Sequence, residues 1–310
     1  NLLVLVVFWE LTSISSFLLV GYGGHKADAR AGARMALAVT GGGGLVMLAG
    51  VLLLGQMGGS YDLSVLLTRG EQIKSDALYP LMLMLILVGC FTKSTQIPFH
   101  FWLPEAMAAP TPVSAYLHSA TMVKAGIFLL ARLYPVIGGT ELFQAVVSTV
   151  GLSTMVFAAY VAVFRHDLKS LLAYSTISHL GLIVFLIGLS SPLSAVAAMF
   201  HILNHATFKA SLFMTAGIID HETGTRDIRR LGGLAKFLPW TATLAMIAAA
   251  SMAGLPLFNG FLSKEMFFAA AVEGQSDFAF GVLVPLAATF GGIFSVAYSL
   301  RLIHDVFFNG

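Results

Sequence analysis

Three titratable side chains recur at a four-residue interval inside an apolar stretch: His201, His205 and Lys209, in Phe200-His201-Ile202-Leu203-Asn204-His205-Ala206-Thr207-Phe208-Lys209. At 100° per residue a helix brings them within about 80° of one another and spreads them over ~12 Å of its length. Histidine accepts and donates at its two nitrogens and titrates near neutrality, and a water can bridge the ~6 Å between successive turns. The stripe therefore reads as a proton relay. Two other readings stay open: core histidines satisfied by backbone carbonyls, and a zinc site, which lacks the glutamate after the first histidine and a third ligand nearby.

Further charges stand in equally apolar surroundings: Lys93, Lys124, Lys264, Glu10, Glu105, Glu265 and His118. A charged residue at the centre of a membrane span costs ~2.5–3.5 kcal/mol, so Lys93, Lys124, Lys209 and Lys264 together would cost about 10–14 kcal/mol facing lipid. They must instead line a protein-enclosed, hydrated axis. Glu10, the one acid of the first apolar run, is expected to stabilise a lysine cation, with Lys93 as the partner, so that parting the pair drives a proton onward. The alternative is a fixed ion pair that joins two helices. Lysine suits a relay because arginine stays protonated throughout. His118 and Lys124, six positions apart, would lie about 120° apart on one helix and border a wide cavity, with Ser119 and Thr121 offering hydroxyls to water. Lys264 and Glu265 are expected at the exit of the path, the acid tuning the base, with a snorkelling interfacial lysine as the alternative. Cys90, the single cysteine, reads as inert packing, and the sequence has no nucleotide fingerprint or cofactor motif.

The elements that must hold these groups follow from composition. Of 310 residues 57% are hydrophobic and 10% are charged, with a net charge of +2. That excludes a water-soluble globule and gives no field for nucleic acid. A bilayer core needs roughly 20 apolar helical residues, which predicts an all-α polytopic membrane protein with spans at 1–22, 33–57, 79–107, 112–134, 142–164, 170–190, 193–219, 238–272 and 279–303. Spans 79–107 and 238–272 are overlong and interrupted at Ile97-Pro98 and Gly254-Leu255-Pro256, so each is expected to be two half-helices joined by unwound backbone. Such backbone survives at membrane depth only inside protein or beside water. The two breaks suggest inverted repeats, a partial first one over 1–134 and a second over 142–303.

One set of alternate loops holds Lys26, Arg30, Arg34, Arg165, Lys169, Arg226, Arg229, Arg230 and Lys236, and the other holds Arg69, Lys74 and Arg132. The bias predicts that loops 23–32, 165–169 and 220–237 are cytoplasmic, with Asn1 on the outer side of the plasma membrane. Both ends fall beside apolar runs, so the chain is expected to be an internal piece of a longer protein.

The segment from Thr92-Lys93-Ser94 through Pro98, followed by FHFWLPEAMAAPTPVSAYLHSATMVKAGIFLLARLYP, resembles the proton-translocating membrane subunits shared by respiratory complex I, membrane-bound hydrogenases and Mrp-type cation/proton antiporters. FWELTSISSFLLVGY, DLKSLLAYSTISHLG, NHATFKASLFMTAG and AGLPLFNGFLSKE extend the resemblance over nearly the whole chain. It implies that Glu10, Lys93, His118, His201, His205, Lys209 and Lys264 are proton-path residues. Within the family, Lys124 in HSATMVKAG is similar to the large A-type polypeptide of Mrp antiporters, where the large complex I polypeptide usually has threonine. The resemblance thus implies Na⁺/H⁺ exchange without organic cofactors, in a complex with other membrane subunits. Two rivals remain: a proton-pumping component of complex I or a hydrogenase, and a scaffold whose buried charges only fix helix packing.

Overall fold

A computed structural model describes residues 1–274 and 281–309. The chain is all-α; among the described residues the β pairing is a single isolated bridge between Asp167 and Asp227. In chain order the helices are α1 (Leu2–Val20), α2 (Ala27–Gly58), α3 (Leu63–Leu66), α4 (Gly70–Lys74), α5 (Tyr79–Lys93), α6 (Trp102–Glu105), α7 (Thr111–Ser119), α8 (Ala125–Ile137), α9 (Glu141–Val163), α10 (Leu168–Leu189), α11 (Pro192–Thr223), α12 (Pro239–Ala253), α13 (Asn259–Glu273) and α14 (Leu283–Ile303). The expected spans fall in turn on α1, α2, α5 with α6, α7 with α8, α9, α10, α11, α12 with α13, and α14. The first two positions of the expected span 279–303 lie outside the described residues.

Starts are set by capping. Thr140 accepts from the Phe143 amide ahead of α9, Asp167 from that of Ser170 ahead of α10, and Ser191 and Ser194 form a reciprocal box ahead of α11. The centre of the bundle is α10. In its apolar window 94% of residues are buried against 28% for α1, as expected of a helix that is hydrophobic all round.

Both expected interruptions are present. In the first, α5 ends at Lys93 and helix resumes beyond Pro98, because the ring removes a donor and disfavours helical backbone just before it. Hydrogen bonds tie the unwound turn to its neighbours, although Thr95 Oγ1 and Gln96 Oε1 are buried without a partner among the described residues. The Ile97 amide donates to Thr154 Oγ1 (3.0 Å), Ser94 Oγ donates to the Val123 carbonyl (2.7 Å) and accepts from the Ile127 amide (3.1 Å), and Trp102 Nε1 donates to the Thr92 carbonyl (2.9 Å). Irregular backbone at membrane depth is thus buried and satisfied by neighbouring helices. In the second, Gly254 ends α12 in the left-handed conformation (φ 82°), which glycine adopts without steric cost, and Leu255-Pro256 prevents direct continuation.

A third interruption departs from the sequence expectation. The span 112–134 is not one helix: α7 stops at Ser119 and α8 starts at Ala125, with no proline or glycine at the joint. The cause is local hydroxyl competition. Ser119 Oγ donates to the Ala115 carbonyl and Thr121 Oγ1 to that of Tyr116 (2.9 Å), drawing acceptors away from the backbone ladder.

Lys169, expected in a loop, is instead in the first turn of α10, 3% exposed, donating to the Ala109 carbonyl (2.9 Å). Around it Arg226 pairs with Asp167 (3.1 Å) and the Ile228 amide donates to the His166 carbonyl (2.8 Å). In the exposed loop beyond, hydrogen bonds from Arg229 hold the Asp227 carboxyl down at about 2.

Candidate proton path

Lys93, at the C-terminal end of α5, is fully buried and reaches across to α1. Its Nζ donates to the Trp9 carbonyl (3.1 Å) and to Ser13 Oγ (2.7 Å), with the ammonium 5.2 Å from the Trp9 ring centroid. Trp9 and Ser13 lie one turn apart on α1, and Glu10 is about 100° round the helix from Trp9 and about 60° from Ser13. The Lys93 hydrogen bonds go to Trp9 and Ser13, and Glu10 acts on Lys93 through space, without a direct ion pair. Glu10 turns toward α2, where a Cβ built on Gly44 would overlap its Oε1 and one on Gly41 would lie 3.6 Å from Oε2. Among the described residues, Oε1 is buried there without a hydrogen-bond partner.

The stripe on α11 forms as the spacing predicts. His201 is 1% exposed, and His205 and Lys209 are fully buried. Lys209 Nζ donates to the Leu172 carbonyl (3.3 Å) and to Ser175 Oγ, both on α10. Both ring nitrogens of His205 are buried without a partner among the described residues.

His118, also fully buried at the end of α7, likewise has both nitrogens unpartnered among the described residues; its ring lies near Trp102 and Phe213, with centroids 6.4 and 6.3 Å away. Lys124 stands beyond the break, so the 120° separation expected for one helix does not apply. Its Nζ donates to the Ile202 carbonyl (2.9 Å), which carries it onto α11 between His201 and His205.

Lys264 on α13 is 7% exposed and donates to the Ala253 carbonyl at the α12 end (3.0 Å) and to Ser295 Oγ on α14 (2.8 Å). The expected tuning of Lys264 by Glu265 is not supported by contact. Successive helix positions point about 100° apart, and Glu265 is exposed and makes no ion pair with Lys264. Both residues nevertheless border one groove, together with Gly254 and Phe268. Glu105 is exposed as well.

A shared arrangement emerges for three of the lysines. Lys93, Lys209 and Lys264 each take one backbone carbonyl and one serine hydroxyl as acceptors, on helices other than their own. Among the described residues no carboxylate is paired with any of them, so each can release and regain a proton without breaking an ion pair.

Sequence reasoning missed three groups that the structure places at this site. His179 of α10 joins His201 through Nδ1 and Nε2 (2.9 Å), with the rings stacked at 5.1 Å, and its Nε2 meets Tyr298 Oη of α14 (3.2 Å). Tyr298 donates in turn to Ser295 Oγ (3.1 Å). A lone histidine inside the apolar span 170–190 was the available signal.

With this geometry in view, comparisons with known proteins are informative. The sequence profile described as "NADH:quinone oxidoreductase/Mrp antiporter, TM" matches residues 1–290. The chain is 64% identical, over its whole length, to a protein of Rhizobium meliloti (strain 1021) named as the A/B polypeptide of a probable K(+)/H(+) antiporter, covering 31% of that relative. It is 50% identical to the A polypeptide of the Na(+)/H(+) antiporter of Bacillus subtilis (strain 168), with 99% of this chain and 40% of that relative aligned. The chain thus spans between three and four tenths of the length of these relatives. Among solved structures, the Mrp complex from Dietzia sp. DQ12-45-1b matches with a TM-score of 0.92 and 42% identity, over 98% of this chain and 33% of that one. An archaeal membrane-bound sulfane sulfur reductase, a respiratory membrane complex, matches with a TM-score of 0.86 and 29% identity, over 98% and 62% of the two chains. The chain is accordingly a multi-pass membrane protein that belongs to the NADH:quinone oxidoreductase/Mrp antiporter transmembrane family.

Proposed function

We propose that this chain is the proton-translocating part of a multisubunit cation/proton antiporter, a secondary transporter rather than an enzyme, and that it exchanges Na⁺ for H⁺ across the plasma membrane together with other membrane subunits. The observation that carries this reading is the set of buried lysines held by neutral acceptors beside buried histidines. Protons move along Glu10, Lys93, His118 and Lys124, then His201, His205 and Lys209, and leave by Lys264, with Glu265 at the edge of the exit groove. Waters bridge the unpartnered nitrogens of His118 and His205. The path needs no organic cofactor or metal. It runs through two inverted halves, 1–134, broken near Pro98 and after Ser119, and 142–303, broken near Pro256, and Asn1 faces outward while segments 23–32, 165–169 and 220–237 face the cytoplasm.

Two observations favour second readings. The higher identity to a relative named for K⁺ favours potassium as the exchanged cation. The likeness to a respiratory complex favours a proton-pumping role beside redox subunits, as in complex I or a hydrogenase. Cation-dependent proton flux in everted vesicles carrying the full complex tests all three. Sodium-driven flux supports the proposal, potassium-driven flux alone replaces the cation, and flux that requires a redox substrate instead of a cation gradient replaces the function.

A further inference from the structure

His201 and Lys264, two groups of the proposed path, sit on different helices and share no direct hydrogen bond. Between them runs an unbroken series of side-chain hydrogen bonds through two helices that the path did not include. Lys264 Nζ lies 2.8 Å from Ser295 Oγ, Ser295 Oγ 3.1 Å from Tyr298 Oη, Tyr298 Oη 3.2 Å from His179 Nε2, and His179 Nδ1 2.9 Å from His201 Nε2. His201 Nδ1 then lies 3.0 Å from Ser263 Oγ, one residue before Lys264 on α13. Every member is buried, the least covered being Lys264 at 7%.

We propose that Ser295, Tyr298 and His179 are relay residues that carry the proton between Lys264 and His201 through direct hydrogen bonds. The inference rests on the relay reading above and adds a route to it. Hydroxyls and imidazoles are each donor and acceptor, which a wire requires of every internal member. Once the hydroxyls have turned from the arrangement in which Tyr298 donates to Ser295, the Lys264 ammonium gives a proton to Ser295 Oγ, Ser295 passes its own to Tyr298 Oη, and Tyr298 passes its own to His179 Nε2. His179 then releases its Nδ1 proton to His201 Nε2. Lys264 ends neutral, the His201 imidazole ends protonated, and Ser295, Tyr298 and His179 have each gained one proton and lost one. Reversing the hydroxyl rotors and the tautomers carries a proton the other way. Ser295 has a resting acceptor, the Met252 carbonyl at 3.4 Å, to which its hydroxyl turns between passages.

Tyr298→Phe removes the central hydroxyl and keeps the ring. In everted vesicles carrying the full complex, proton flux per assembled complex is expected to fall about 10²-fold, the scale of losing a positioned proton carrier. Lys264→Gln is run beside it. A wire broken once loses little from a second break, so Tyr298→Phe combined with Ser295→Ala is expected to be no slower than Tyr298→Phe alone. Normal flux in Tyr298→Phe with none in Lys264→Gln would overturn the wire and leave the relay reading standing. Normal flux in Lys264→Gln would overturn the relay reading and the wire with it. Losses that multiply in the double variant would reduce the three residues to packing. Where Tyr298→Phe does not assemble, His179→Gln takes its place, since the amide bonds both neighbours but passes no proton, and normal flux there equally overturns the wire.

Discussion

The Lys93 ammonium lies 2.7 Å from the Ser13 hydroxyl, and Glu10, three positions earlier on the same helix, forms no ion pair with it. The cation comes from α5 to rest on Trp9 and Ser13 of α1, while the carboxylate leaves α1 toward α2. Acid and base influence each other through space, and neither has to break an ion pair with the other to change protonation.

Room for Glu10 is provided by α2, which leads to the first prediction. Gly44→Ala places a Cβ on the Glu10 carboxylate, while a Cβ on Gly42 meets nothing within 4 Å. Gly44→Ala should slow proton flux several-fold and Gly42→Ala should leave it unchanged. Combining Gly44→Ala with the shorter Glu10→Asp should restore part of the loss. Equal effects of the two alanines, or no gain from aspartate, would show that the glycines serve helix packing alone.

The second prediction separates relay from packing on α11. His205→Gln should reduce flux severely, while thermal stability should change little, because among the described residues the His205 nitrogens have no protein partner to lose. A packing role would show the reverse: about 1–3 kcal/mol of lost stability with normal flux per folded molecule.

Glu265 provides a contrast. Its side chain is exposed and the Lys264 hydrogen bonds go to Ala253 and Ser295, so Glu265→Gln should keep flux within about twofold of the parent, as for a surface charge. A loss as deep as that of Lys264→Gln would return the acid to the path.

What the sequence makes legible here follows from cost. Lys93, His205, Lys209 and Lys264 stand out because a charge or an imidazole in an apolar run needs a reason. The breaks at Pro98 and Pro256 stand out because proline removes a helix donor. The break after Ser119 is silent, since two hydroxyls cause it and hydroxyls are common in intact helices. His179 and Tyr298 meet across 119 positions, and no local period records that contact. Glu10 makes no direct bond to Lys93 and Glu265 none to Lys264 for a shared reason: proximity along the chain or charge complementarity does not say which helix face a side chain leaves from.

The central claim is that Lys93 gives up its proton in each cycle. Proton flux driven by a cation gradient should be measured in everted vesicles carrying the full complex with Lys93→Arg, alongside Lys93→Ala. Arginine keeps the charge and its donors but does not deprotonate, so the complex should assemble normally and flux should vanish in both variants. Flux at the parental rate in assembled Lys93→Arg complexes would contradict the account.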